Sequence, residues 1–133
     1  MGSAIDGNNA NAGLGFYVAL SYNGTRMAIG VPDVSKGNVR VYDFINDEWE
    51  MMPPPADLST LTLTIEGANS ADYFGRQLSM SADGTRLAIS GLGHDVGGTN
   101  TGHVQVYEYS SGGWSQLGGD INGKAAGDNL QKV

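Results

Sequence analysis

The chain repeats itself, and the repeat constrains the fold more than any single residue does. Residues 14–30, LGFYVALSYNGTRMAIG, recur as residues 74–90, FGRQLSMSADGTRLAIS. Residues 37–49, GNVRVYDFINDEW, recur as residues 102–114, GHVQVYEYSSGGW. Ile5, Gly7, Gly15, Ser21, Gly24, Thr25, Arg26, Ala28 and Ile29 have their counterparts 60 positions further on. The offset becomes 65 for Gly37, Val39, Val41, Tyr42 and Trp49, so the second copy has gained five residues between Ile89 and Val104. From Ile65 to Ile121 the offset falls to 56, and the nine residues in excess in the first copy lie in PPPADLSTL, 53–61. Length changes held to two places, with constant register between them, mark loops around fixed strands. The chain therefore divides into a first repeat with its linker (1–64), a second repeat (65–120) and the start of a third (121–133).

Each full copy reads as four strands. The first covers about 14–21 and 74–81, with Val18/Leu20 and Leu78/Met80 at period two. Asn23-Gly24 and Asp83-Gly84 follow, dipeptides that accept positive φ at both central positions of a two-residue hairpin. The second strand is RMAIG (26–30) and RLAIS (86–90), where Ala28 and Ala88 allow close sheet packing. The third is NVRVYDF (38–44) and HVQVYEY (103–109), rich in β-branched and aromatic residues. A short turn, INDE (45–48) or SSGG (110–113), leads to a fourth strand opening at Trp49 or Trp114. No segment has helical periodicity. A repeated four-stranded antiparallel unit with apolar residues on both faces points to all-β architecture of the propeller type, two blades plus the start of a third in an incomplete ring.

Composition narrows the function classes. The 133 residues include 21 glycines without a three-residue period, which excludes collagen and suits turns between short strands. The net charge is −7, and seven scattered basic residues do not make a surface that neutralises nucleic-acid phosphates. Without cysteine there are no disulfides, thiolate zinc sites or cysteine nucleophiles. No apolar run approaches the roughly 20 residues of a spanning helix, so no membrane insertion is expected. The opening MGSAIDG lacks the basic and apolar regions of a signal peptide.

The copies resemble FG-GAP-like repeats, the blades of integrin alpha-type propellers. Phe74-Gly75 stands at the FG position and Leu14-Gly15 replaces it in the first copy. Gly30-Val31-Pro32 and Ser90-Gly91-Leu92 stand at the GAP position, and the Gly-x-Val-x-Val-Tyr strands (37–42 and 102–107) with the following Trp are also of this type. The resemblance implies a secreted or cell-surface propeller protein used in adhesion or binding. Calcium is not carried over. The family's Asp-rich loop is replaced by SYNGTR and SADGTR, and Asp83 alone cannot supply the roughly six to eight oxygens calcium takes. Kelch propellers are the second resemblance, through VRVYDFINDEWEMMPPP, but their paired glycines are missing at 30–31 and 90–91.

No catalytic constellation emerges. There is no G-x-S-x-G elbow, and the G-x-G of GLGFYV (13–18) opens a strand without a following helix. Asp120, Asn122 and Asp128, echoed by Asp6, Asn8 and Asn9, have the spacing of a calcium loop but read better as an Asx-turn connection. His94 and Asp95 sit in the lengthened loop GLGHDVGGTNTG, and His103 begins the next strand. They could bind zinc, but read as a solvated loop and a strand-edge histidine. Asn23-Gly24-Thr25 is a formal glycosylation sequon, explained by the turn alone. Tyr42, Phe44, Trp49, Tyr107, Tyr109 and Trp114 form a set that could stack sugars, but their recurrence points to packing between blades. Arg26 and Arg86 are expected to pair with carboxylates on a neighbouring blade, such as Asp43 or Glu108.

The expectation is a non-enzymatic binding, adhesion or structural repeat module with neither cofactor nor metal, extracellular or at the cell surface. The alternative is the scaffold of a propeller hydrolase or lyase whose active residues lie outside this segment. Propellers close with about four to eight blades. The open faces are therefore met by a longer array, by other copies of the chain, or by a compact packing of the two repeats with the tail over an edge. A protein or glycan ligand, or the chain itself, is the expected partner.

Overall fold

The computed structural model describes residues 2–7, 13–32, 36–52, 65–68, 72–92 and 101–125. Within them the chain forms two antiparallel sheets and no helix. The first sheet is a four-stranded meander of β1 (Val18–Leu20), β2 (Arg26–Val31), β3 (Asn38–Ile45) and β4 (Glu48–Met51), joined by β5 (Ile65–Glu66). The second repeats it with β6 (Gln77–Met80), β7 (Arg86–Gly91), β8 (His103–Ser110), β9 (Gly113–Gln116) and β10 (Ile121–Asn122). The first strand of each repeat is shorter than its alternation suggested. The second, third and fourth lie within a residue of their expected positions.

The two-residue strands were not foreseen, and they tie the repeats together. β3 and β8 are eight residues long, and each shares one edge between two partners. Phe44 and Tyr42 of β3 pair with Trp49 and Met51 of β4, while Val39 and Asn38 pair with Ile65 and Glu66 of β5. In the second sheet Val104 and His103 pair with Ile121 and Asn122 in the same way. The residues that open each sequence repeat thus complete the sheet of the repeat before them. Gly67 N–H to Gly37 O and Gly123 N–H to Gly102 O, both 3.0 Å, close each junction.

The turns correct one expectation. Asn23-Gly24 and Asp83-Gly84 do not form two-residue hairpins. Ser21 N–H bonds to Arg26 O at 2.9 Å, leaving a four-residue connection in which only Gly24 has positive φ. The side chains explain the choice. Ser21 Oγ and the Thr25 hydroxyl and N–H all donate to Asn23 Oδ1, and Arg26 N–H donates to Ser21 Oγ. Asp83 is held identically by Ser81 and Thr85. A tighter turn would break this Asx network. The turns with positive φ at both central residues join the third and fourth strands, at Asn46-Asp47 and Ser111-Gly112.

The sheets stack face to face. Cross-strand register puts Arg26, Ala28 and Gly30 of β2 on one face with Asp43, Val41 and Val39 of β3. That face meets Leu78, Met80, Leu87, Ile89, Tyr107, Tyr109 and Trp114 of the second sheet, in one core capped by Phe74 and Ile65. Trp114 is 1% exposed, and Ala28, Phe74, Leu87 and Ile89 are fully buried. Close approach depends on Gly30, where a Cβ would collide with the Gly75 carbonyl. Phe74 enters from the link between β5 and β6 and stacks on the His103 ring at 5.8 Å, with planes 11° apart. His103 opens β8, as expected of a strand-edge histidine, but the alternation of β8 turns it inward, where it is fully buried.

Candidate functional site

The ends of the two sheets that carry the β1–β2 and β6–β7 hairpins meet, and their residues enclose a cleft. Tyr22 N–H of the first hairpin donates to Ala82 O of the second at 2.9 Å. Arg26, the first residue of β2, reaches across the interface. Its Nε and Nη2 grip Asp43 Oδ1 and Oδ2 at 2.6 and 2.8 Å, and Nη1 donates to Gly84 O at 2.9 Å. The guanidinium lies 4.2 Å from the Tyr109 ring centroid and 5.7 Å from that of Trp114. Its pKa is raised by the hydrogen bond to Asp43, which outweighs the opposing effect of burial. Gly84 packs against Ser21 and Arg26 from the other side.

Beside this latch opens a cleft of about 350 Å³, lined by Thr25, Asp43, Phe44, Ile45, Asp83, Thr85 and Tyr109 besides Arg26. A second hollow of about 370 Å³ lies on the far side of the second hairpin, between Asp83, Arg86 and Glu108. Asp83 is fully exposed, and its pKa is lowered to about 2, first by the Ser81 hydroxyl and then by the Thr85 N–H and hydroxyl. It stays ionised at neutral pH. The cleft thus offers a carboxylate, threonine hydroxyls and an aromatic face, groups suited to hydrogen bonding and stacking.

The partners expected for Arg26 and Arg86 are the ones found, but in a different place. Arg26 stands opposite Asp43 and Arg86 opposite Glu108 within the same sheet, because these residues are direct cross-strand neighbours. The two pairs differ in setting. The Arg26 and Asp43 side chains are 14% and 20% exposed, whereas those of Arg86 and Glu108, 3.1 Å apart, are 61% and 36% exposed.

The aromatic set divides between the two repeats. Tyr109 and Trp114, rings 5.4 Å apart, face the first sheet, while Phe44 and Trp49, rings 5.1 Å apart, stand in the equivalent position on its outer face. Tyr42 is buried. Tyr107 donates to Gln105 Oε1 at 3.1 Å, and burial raises its pKa. Asp120 accepts from Gln105 Nε2 at 2.9 Å and Gln116 Nε2 at 2.6 Å, tying the chain that leads to β10 onto β8 and β9. Asn122 lies in β10 and Asp6 is exposed. Asn8, Asn9, His94, Asp95 and Asp128 lie outside the described residues. Among the described residues no three His, Asp or Glu side chains gather as a metal would need, and no helix is long and apolar enough to cross a membrane. Sequence reasoning missed the carbonyls of Ala82 and Gly84 as partners. Their only trace was the shared Ser-x-x-Gly-Thr-Arg motif. Compared with known proteins, the chain matches no family model and no curated sequence.

Proposed function

We propose that the chain is a non-enzymatic interaction unit of the FG-GAP-like propeller type, from a secreted or cell-surface protein, and that its hairpin-tip cleft receives a protein or glycan ligand. The cleft between the hairpins carries this reading. It joins an exposed Asp83, ionised at neutral pH, to threonine hydroxyls and the Tyr109 ring, on a framework held by the Arg26 latch. Loops at the end of a rigid sheet stack are where binding surfaces collect. The stacking of one face of the first repeat on the opposite face of the next is what a propeller needs.

The test is a glycan and extracellular-protein array probed with the labelled chain, repeated with Ile45→Ala and Thr85→Ala at the cleft rim. Binding that both variants weaken is the expected result. Binding indifferent to both, or conversion of a bound glycan to product, overturns the proposal.

A further inference from the structure

We infer that the outer face of the first sheet is a docking surface for a second copy of this chain, anchored by an arginine socket made of Phe44, Trp49 and the Gly24 carbonyl. The inference rests on one interface whose two halves each occur twice. Within the chain, Arg26 is the plug, and Tyr109, Trp114 and Gly84 O are the socket. The repeat places Arg86 where Arg26 stands, and Phe44, Trp49 and Gly24 where Tyr109, Trp114 and Gly84 stand. The duplicate socket has the same shape: the Phe44 and Trp49 planes meet at 55°, those of Tyr109 and Trp114 at 52°. Its glycine has no neighbour. A Cβ on Gly84 would touch Ser21 and Arg26, whereas one on Gly24 would meet nothing within 4 Å. The duplicate plug is also open, with Arg86 61% exposed beside Glu108.

The apolar surroundings agree. Leu78 and Met80 of β6 pack against the inter-sheet core, while their counterparts Val18 and Leu20 of β1 are 50% and 54% exposed on the outer face. A second copy that offers its Arg86 face meets, at Val18 and Leu20, chemistry like that which joins the two sheets within one chain, while Ile29 and Tyr42, the counterparts of Ile89 and Tyr107, are already buried within the chain. Arg86 would sit on Phe44 and Trp49 and donate to Gly24 O. The contact is head-to-tail, so it propagates or closes as a ring rather than stopping at a symmetric dimer.

Two features of this chain weaken the contact relative to the internal one. Gly2 lies against Trp49 and Phe44, and Ser3 N–H donates to a Glu48 carboxylate oxygen at 2.9 Å, so the chain's own N-terminal segment rests on the socket. Ser90, itself fully buried, stands where Gly30 admits the Gly75 carbonyl, so the second sheet has no equivalent of that close approach. Association is therefore concentration-dependent, and each feature supplies a variant of known sign.

The experiment is sedimentation velocity of the full chain across a wide concentration range. Wild type is expected to gain mass with concentration. Arg86→Gln, at an exposed position that leaves the fold intact, should move the transition to about tenfold higher concentration. Glu48→Ala and Ser90→Gly should move it lower. Arg86→Gln mixed with Trp49→Ala restores one plug and one socket, and should give a terminated pair at concentrations where neither variant associates alone. Wild type and Glu48→Ala that both stay monomeric throughout overturn the proposal, as does a dimer that Arg86→Gln leaves unchanged. Loss of glycan or protein binding at the cleft would leave these outcomes unaffected.

Discussion

Arg26 and Gly84 lie 58 positions apart and meet across the two sheets, guanidinium nitrogen to carbonyl oxygen at 2.9 Å. The same arginine grips Asp43 of its own sheet with two nitrogens and lies over Tyr109 of the other. It thus joins strand pairing to sheet stacking through one side chain. Arg86, its repeat counterpart, is mostly exposed and pairs with Glu108 of its own sheet.

This asymmetry predicts different costs for one substitution. Arg26→Gln removes a bidentate ion pair and leaves a mostly buried Asp43 carboxylate without its counter-charge, so a loss of about 2 kcal/mol is expected. Arg86→Gln removes an exposed pair and should cost less than about 0.5 kcal/mol. Arg26→Lys keeps the charge but not the planar fork, and should fall between them. Urea unfolding of the dilute chain measures all three. Equal losses at positions 26 and 86 would show that the latch does not bear on stability.

Gly30 and Ser90 offer a second matched pair. Gly30→Ala drives a methyl group into the Gly75 carbonyl, and the sheets must part to accommodate it. Overpacking of this kind costs about 1–3 kcal/mol. Ser90→Ala adds no volume at the equivalent position, so its cost is limited to the loss of a buried hydroxyl, about 1 kcal/mol. A Gly30→Ala chain as stable as wild type in thermal unfolding would mean that the sheets approach less closely there than described.

The parts of the fold readable in the sequence were those with local causes. Alternation and β-branched residues in 38–45 and 103–110 marked the third strands, and the shared Gly-Thr-Arg marked the hairpins. Turn length was misread because Asn23-Gly24 has the composition of a tight turn, while the deciding network of Ser21, Asn23 and Thr25 is a matter of geometry. The pairing of Ile65-Glu66 with the preceding sheet had no local signature, since two residues carry no period. The Arg26 latch was half readable. Its carboxylate partner followed from residue type, but a backbone carbonyl such as that of Gly84 is invisible in any sequence.

Among the described residues, Phe74 is the largest apolar side chain that a connecting segment sends into the core, fully buried against His103. Phe74→Ala should cost about 3–5 kcal/mol, enough to leave much of a marginally stable chain unfolded. Leu14 holds the equivalent place in the first repeat but is only half-buried, and Leu14→Ala should cost clearly less. Circular dichroism melts of the two variants compare them directly. A Leu14→Ala loss equal to that of Phe74→Ala would mean that the first repeat's outer face is as well covered as the internal interface.

Asp83 predicts a pH effect with a definite sign. Its carboxylate has a folded pKa lowered to about 2, against an ordinary value of about 3.9 in the unfolded chain. A lowered carboxylate pKa stabilises the folded state fully above the unfolded value, and that contribution fades as pH falls from about 4 through about 2. Protonation weakens the bonds from Ser81 and Thr85, the first cause of the shift. Asn23 makes the same three contacts without a charge, so Asp83→Asn should keep the hairpin and lose this pH dependence. An NMR titration of the Thr85 amide proton tests it, with an inflection near pH 2 expected in wild type and none in Asp83→Asn. An inflection near pH 4 in wild type would show that the hydroxyl and amide donors do not hold the carboxylate in solution.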